Sequence, residues 1–227
     1  MLIKSLSRSF LFVAAVLTFL SASPRLAFSA DALSTTGDAA ALTPQSKFIQ
    51  SLGDKAISIL ADKKLNPEQR NAQFRNMLRD SFDLPTIARF VIGRAWAGAT
   101  PEQQKEYMDL FEALVVKTYS DRFALYTGEG FKIRSSQPEG DKDMIVNSDI
   151  THPDGSAPTV VTWRVRQKGD KMGIIDVIVE GVSMSITQRQ EYSSVIQRNG
   201  GDINALLDLM RQRLQPAPTS AEAQKNG

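Results

Sequence analysis

Residues 174–179, I-I-D-V-I-V, read as a β-strand that is apolar on both faces. Side chains alternate along a strand, so strict alternation puts Ile175, Val177 and Val179 on one face. The continuing segment would place on the other face Ile174, Ile178, Val182, Met184 and Ile186. A sheet with one wet face shows apolar and polar residues in alternation, so this strand must be covered on both sides.

Three further segments of period-two character precede this strand, at 131–137, 142–150 and 159–167. Short polar turns rich in Gly, Pro and Asp separate them. Strands joined by such turns pair with their sequence neighbours. The sequence therefore predicts a four-stranded antiparallel meander.

Helix starts are marked by cap and proline pairs at Thr43–Pro44, Asn66–Pro67 and Thr100–Pro101. A shorter helix is expected at 84–92, ending at Gly93, and the Pro101 helix should run to about Tyr126. Helices resume near residue 187 and again from residue 202. Helices on both sides of a meander predict an α+β fold, with one domain spanning residues 43–215.

The first 29 residues have the features of a signal peptide. Lys4 and Arg8 precede an apolar run at 10–20, and the A-F-S triplet ending at Ser29 has small residues where a signal peptidase cleaves. No Cys follows the run, so a lipid-anchored lipoprotein is not expected. We expect export with cleavage near Ser29, a flexible leader at 30–42 and a disordered tail at 216–227.

Charge and composition exclude several functional classes. The whole chain carries a formal net charge of +2, and removing the three basic residues of 1–29 leaves 24 basic against 25 acidic, or −1. Nucleic-acid binding is not expected, because phosphate contacts require clustered Lys and Arg. The chain has no Cys and one His, His152, which lies in a polar turn. No metal site or cofactor is expected, and without a nucleotide motif any ATP must be used by a partner.

Asp176 and Glu180 are the strongest candidates for an acid-base pair. Four residues of strand separate them by roughly 13 Å, whereas two carboxylates acting on one bond lie at about 5 to 9.5 Å. We therefore expect Asp176 at a strand entrance, Glu180 beside a bulge at Gly181, and no enzymatic activity. The alternative is an acid-base enzyme in a cone-shaped fold like that of nuclear transport factor 2, using Asp176 or Glu180 with a tyrosine such as Tyr119.

The Pro101 helix shows an apolar surplus like that of the strand. Its apolar residues cover more than the roughly 100° stripe of a surface helix, so the helix should contact two apolar surfaces. Val161 and Val165 add apolar surface on the strand around Trp163. Either the N-terminal helices form a third layer or the surplus lines an apolar cavity.

Three segments resemble the MlaC family, the periplasmic phospholipid-binding components of the Mla and toluene-tolerance ABC transport systems. They are D-L-P-T-I-A-R-F-V-I-G-R-A-W at 83–96, T-P-E-Q-Q-K-E-Y-M-D-L-F-E-A-L-V-V-K-T-Y at 100–119, and D-V-I-V-E-G-V-S-M-S-I-T-Q-R-Q-E-Y at 176–192 followed by N-G-G-D-I-N-A-L-L. One departure is at Gly173 and Ile174, where the family commonly has an aromatic residue.

The resemblance implies a cone like that of nuclear transport factor 2, with an apolar lipid cavity, in a periplasmic carrier that has phospholipid as cargo. The partners it implies are an inner-membrane ABC transporter with an MCE-domain subunit and an outer-membrane lipoprotein and porin complex, acting in outer-membrane lipid asymmetry and toluene tolerance. A paralogous branch is associated with hopanoids, so another lipid is an alternative ligand, and a purely structural adaptor is a third alternative.

The resemblance also suggests where the lipid binds. One face of the strand would pack on helices and the other would line the pocket. The expected lipid-binding residues are Phe90, Phe111, Leu114, Val115, Tyr119, Trp163, Val165, Val177 and Val179. Because a guanidinium group can contact two phosphate oxygens, the expected head-group residues are Arg89, Arg134 and Arg164.

Overall fold

A computed structural model describes residues 43–123 and 126–215. The signal peptide at 1–29, the leader at 30–42 and the tail at 216–227 were predicted from sequence and lie outside these residues. No helix within the described ranges is long and apolar enough to cross a membrane.

The elements follow the predicted order of helices, sheet and helices, which confirms the α+β class. The N-terminal helices are α1 (Pro44–Ala61), α2 (Pro67–Ser81), α3 (Leu84–Ile92), α4 (Ala95–Gly98) and α5 (Pro101–Phe123). The strands are β1 (Gly130–Glu139), β2 (Asp143–Thr151), β3 (Thr159–Lys168), β4 (Lys171–Val179) and β5 (Val182–Ser183). The C-terminal helices are α6 (Met184–Arg198) and α7 (Ile203–Leu214).

The predicted helix starts are confirmed by their caps. Thr43 Oγ1 accepts the Ser46 N–H at 3.1 Å, and Asn66 forms a reciprocal capping box with Gln69. Thr100 and the N3 glutamine of α5 form a second capping box. The helix α3 ends at Gly93, whose φ of +61° only glycine adopts readily. The short helix α4 was not predicted.

The sheet has the strand order β1-β2-β3-β4-β5, with every neighbouring pair antiparallel. The four-stranded meander is confirmed, and β5 adds a fifth strand. The chain turns back at Glu180 (φ +49°) and Gly181 (φ +80°), so these residues form a two-residue hairpin turn and not the expected bulge. The prediction that Met184 and Ile186 continue the strand is wrong, because α6 begins at Met184.

A bulge in β4 changes the predicted distribution of side chains between the faces. Val165 pairs with Ile174 but Arg164 pairs with Asp176, which leaves Ile175 as the extra residue. Ile174 therefore lies on the same face as Val177 and Val179, and not opposite them as predicted. We call this the inner face, and its paired side chains across β2, β3 and β4 include Met144, Val146, Ser148, Val161, Trp163, Val165, Ile174, Val177 and Val179.

The opposite, outer face is largely polar. Arg134 on β1 pairs with Asp149 at 2.5 Å, and Arg164 and Arg166 on β3 both pair with the buried Asp143. The apolar contacts between sheet and helices lie on the inner face, where α1 and α2 supply the covering side chains. The expectation that one face packs on helices while the other lines a pocket is therefore wrong.

Two apolar cores result. The sheet core joins the inner face to α1 and α2 through Ile49, Leu52, Ile59, Phe74, Met77, Leu78, Val116, Val146, Val165 and Ile174. The helical core joins α3, α5, α6 and α7 through Ala88, Val91, Ile92, Tyr107, Phe111, Tyr192, Ile196, Ile203, Leu206, Leu207 and Met210. Helix α5 contributes to both cores, which confirms that it contacts two apolar surfaces. The half-buried Val115 packs against both.

Candidate functional site

The inner face carries both fully buried and half-buried side chains. Val165 and Ile174, paired across β3 and β4, are 1% and 0% exposed beneath α1 and α2. Trp163, Val177 and Val179 lie on the same face toward the β4–β5 turn and are only half-buried, whereas Val161, paired with Val179, and Ser148 on β2 are buried there. A strip of apolar surface therefore remains accessible on a face that is otherwise part of the protein interior.

Helix α5 borders the sheet core. Val115 and Tyr119 are half-buried and pack against the sheet core. Leu114 is half-buried and packs against the helical core, in which Phe111 is 4% exposed. The principal helical neighbours of α5 are α7 and α2. The predicted lipid-binding residues of α5 thus lie along the junction between the two cores.

A hydrogen bond fixes the indole of Trp163. Its Nε1 donates to Ser148 Oγ at 2.9 Å, and Ser148 Oγ donates to the Val161 carbonyl at 3.0 Å. The Phe131 ring meets the indole edge to face, with centroids 6.2 Å apart. Phe131 in turn lies against the backbone of α1 at Gly53, where a Cβ would be 2.4 Å from the ring. The sequence therefore specifies this aromatic pair through a glycine on one side and a serine on the other.

Phe90 is placed apart from the other predicted lipid-binding residues. It is 42% exposed on α3, with the Arg189 guanidinium 4.9 Å from its ring centroid. Arg189 Nη1 also donates to the Phe90 carbonyl at 3.0 Å. Phe90 thus belongs to the contact between α3 and α6.

The three predicted head-group arginines lie in different environments. Arg134 and Arg164 are on the outer face, opposite the apolar strip, and each pairs with a carboxylate. Arg89 is exposed on α3, with its guanidinium 5.1 Å from the centroid of the Trp96 ring. Arg134 and Arg164 thus belong to the ion pairs of the outer face, whereas Arg89 does not.

Asp143 anchors the outer-face ion pairs. Arg166 donates to both carboxylate oxygens, at 2.6 and 2.9 Å, and Arg164 donates to one of them at 2.7 Å. The Arg166 hydrogen bonds, assisted by Arg164, hold the pKa of Asp143 below its ordinary value against the opposing effect of burial. The cluster is a structural element of the sheet.

Asp176 and Glu180 both have structural partners. Asp176 accepts hydrogen bonds from Ser183 Oγ at 2.6 Å and from the Ser185 N–H at 3.1 Å, at the start of α6. Glu180 is exposed, and its Oε1 accepts the Val160 N–H at 2.5 Å. These positions give the acid-base alternative no support. No group of three or more His, Asp or Glu side chains in residues 43–123 and 126–215 is arranged to hold a metal ion.

Two surface depressions of the described part are polar. One follows α2 from Glu68 to Arg79, and the other lies between the β1–β2 and β3–β4 turns around Lys142 and Gly169. Neither is lined by a predicted lipid-binding residue. The apolar strip of the inner face therefore remains the candidate site.

Inner-face residues of β1 and β2 were not among the predicted lipid contacts. Phe131 and Ile133 are half-buried beside the sheet core, and Met144 lies opposite Val165. The F-K-I alternation of residues 131–133 was the signal that marked this face of β1. The departure at Gly173 also has a structural reason, since a Cβ there would lie 3.1 Å from Asp83 Cβ, where the chain entering α3 meets β4.

Comparison with known proteins places this arrangement in a family. The sequence profile described as MlaC protein matches residues 50–212. The chain is 23% identical to toluene tolerance protein ttg2D of Pseudomonas putida over 158 residues, covering 66% of this chain and 73% of that relative. It also shares its fold, with a TM-score of 0.66 and 22% identity, with the phospholipid-binding protein from Ralstonia solanacearum, solved in complex with a phospholipid. That match covers 74% of this chain and 95% of the other.

Proposed function

This chain belongs to the MlaC family, and we propose that it is a carrier that holds a phospholipid against the apolar strip of its inner face. The observation that supports the proposal is that Val177 and Val179 on β4 and the neighbouring Trp163 on β3 are half-buried apolar side chains on a face whose other central residues are buried. An apolar surface left accessible inside a fold is the feature expected of a binding site for acyl chains.

The energetics explain why such a carrier is needed. Burying one methylene group is worth about 0.8 kcal/mol, so a chain of about sixteen carbons is held in a membrane by roughly 12 kcal/mol. A lipid with this cost cannot cross water at a useful rate unaided. A carrier must match the affinity of the membrane without greatly exceeding it, because a lipid held much more tightly would not be delivered.

We base the proposed setting on the signal peptide predicted from sequence and on the family. Residues 1–29 would direct the chain to the periplasm. There it would shuttle phospholipid between an inner-membrane ABC transporter with an MCE-domain subunit and an outer-membrane lipoprotein and porin complex. The name of the Pseudomonas putida relative supports a role in toluene tolerance. The transporter would supply the ATP hydrolysis, since this sequence contains no nucleotide-binding motif.

The remaining predicted contacts are part of the proposal. Leu114, Val115 and Tyr119 would contact the acyl chains from the α5 side, with Phe111 behind them in the helical core. Phe90 would contact lipid only if the tails reached the exposed surface of α3. For the phosphate we retain Arg89, since Arg134 and Arg164 are paired on the outer face.

A transfer assay tests this proposal. The mature protein should accelerate movement of fluorescent phosphatidylglycerol from donor to acceptor vesicles, and Arg89→Glu should slow it. Arg134→Glu is the matched control, because its charge change lies on the outer face and should leave the rate unchanged. A wild-type protein without effect on transfer would refute the proposed function. Mass spectrometry of lipid extracted from the purified protein would distinguish a phospholipid from a hopanoid or another lipid.

A further inference from the structure

Trp163 lies at the boundary between the covered and the accessible parts of the inner face. Toward one end of the sheet, the next inner-face residues of β3 and β4 are the buried Val165 and Ile174. On β4, Val177 lies across from Trp163 and Val179 lies beyond it, and both are half-buried, whereas Val161 on β3 is 3% exposed. An acyl chain lying along Val179 and Val177 would therefore meet the indole, which is paired with Val177, before it reached the buried Ile174.

Ser148 holds the indole in this position. It is a fully buried polar residue on an apolar face, 0% exposed, and it lies diagonally across from Trp163 on the neighbouring strand. Its hydroxyl accepts a hydrogen bond from the indole N–H and donates one to the Val161 carbonyl. Neither the indole N–H nor the buried hydroxyl is therefore left unpaired, which would be costly. The Phe131 ring supports the indole from the β1 side.

We infer that Trp163 sets the acyl-chain length that the site accepts, with Ser148 as the residue that positions it. This inference rests on the proposed function. An indole fixed by a hydrogen bond and an edge-to-face contact is a rigid end wall, unlike a flexible aliphatic side chain. Methylene groups up to the wall gain burial, and those beyond it must bend back toward water or displace the ring.

The expected signature is a break in the dependence of affinity on chain length. Each buried methylene tightens binding about fourfold. In the wild type, Kd should fall by this factor per methylene up to a limiting length and then stay constant. Trp163→Leu removes the wall and should move the break to longer chains. Trp163→Phe keeps a ring without the N–H and should move the break less.

The test uses delipidated mature protein titrated with phosphatidylglycerols whose two saturated chains lengthen by two methylenes at a time. The chain has two tryptophans, and Trp96→Leu is the matched control. Trp96 packs against the helical core and against Arg89, so its loss should change the affinity by the same factor at every chain length and leave the break where it is. Ser148→Ala should make the change of slope at the limiting chain length less sharp, and should shift that length less than Trp163→Leu does. Urea unfolding of each variant identifies any loss of folding.

A second readout does not require a variant at Trp163. In a Trp96→Phe background, Trp163 is the remaining tryptophan, so the tryptophan emission reports on this position alone. Phosphatidylcholine brominated near the end of its chain should quench this emission strongly, and lipid brominated near the glycerol should quench it weakly. The inference is overturned if lipid binds but both brominated lipids quench equally, or if the break is identical in the wild type and Trp163→Leu. Absence of binding by every phospholipid tested would instead refute the proposed function, and the inference with it.

Discussion

Replacing Val177 by aspartate should empty the site while leaving the sheet folded. Val177 is half-buried on the inner face, so a carboxylate there remains hydrated in the lipid-free protein. Bound acyl chains would cover it and leave an uncompensated charge in an apolar environment. Such a charge costs on the order of 3 kcal/mol, which corresponds to roughly 150-fold weaker binding. The penalty falls on lipid binding more than on folding because the position is only partly covered in the free protein.

The neighbouring residue provides the matched control. Ile178 is also half-buried on β4, but it lies on the outer face, between Thr162 and Ser183 in the paired strands. The outer face is largely polar and is not the proposed lipid site, so Ile178→Asp should retain lipid at the wild-type level. Both variants are purified without detergent, and bound lipid is quantified per protein by extraction, with circular dichroism to check folding. Equal lipid retention by Val177→Asp and the wild type would refute the assignment of the inner face as the lipid site.

Three predictions concern the scaffold. Ile174→Ala, at a position that is 0% exposed in the sheet core, should reduce the free energy of unfolding by about 2 to 5 kcal/mol in urea titrations, and a loss below about 1 kcal/mol would contradict the description of that end as closed. Because the pKa of Asp143 is lowered in the fold, its contribution to stability should be complete above about pH 4 and lost as pH falls through the lowered pKa. Asp143→Asn should make the free energy of unfolding less sensitive to acid, and an unchanged pH profile of stability would contradict this prediction. Gly53→Ala should destabilise the protein by about 1 to 3 kcal/mol despite the better helix propensity of Ala, since the new Cβ would overlap the Phe131 ring; a stabilised variant would show that the ring moves freely.

The sequence was most informative where local chemistry decides the structure. Cap and proline pairs at Thr43, Asn66 and Thr100 located three helix starts, because a polar cap and a proline at N1 both satisfy the needs of a helix N-terminus. Polar turns between period-two runs located β1 to β4. The wide apolar surface of α5 correctly indicated contact with two apolar surfaces.

The errors came from features that no local pattern marks. The bulge at Ile175 shifts the alternation of β4, yet the Ile174–Ile175 pair carries no signal for an extra residue. The turn at Glu180 and Gly181 requires positive φ at both positions, and glutamate is an uncommon residue at the first of them. The second apolar face expected on this strand therefore does not form. Ile174 lies on the inner face, the chain reverses at the hairpin turn, and Met184 and Ile186 belong to α6.

The candidate site was only partly predictable for a related reason. The alternation of β3 places Arg164 and Arg166 opposite Trp163 and Val165, which argues against these arginines as contacts for a lipid on the inner face. Their pairing with Asp143 depends on the register of β2 against β3, which is a tertiary property. The hydrogen bond between Trp163 and Ser148 likewise joins residues fifteen positions apart in the chain.

The central claim is that this protein carries lipid, and native mass spectrometry of the wild-type protein tests it most directly. The protein is isolated from its source cells without detergent and electrosprayed under gentle conditions. We expect a dominant species heavier than the polypeptide by the mass of a phospholipid, which dissociates at higher collision energy to give the bare chain. A spectrum that contains only the bare chain under the gentlest conditions would contradict the account.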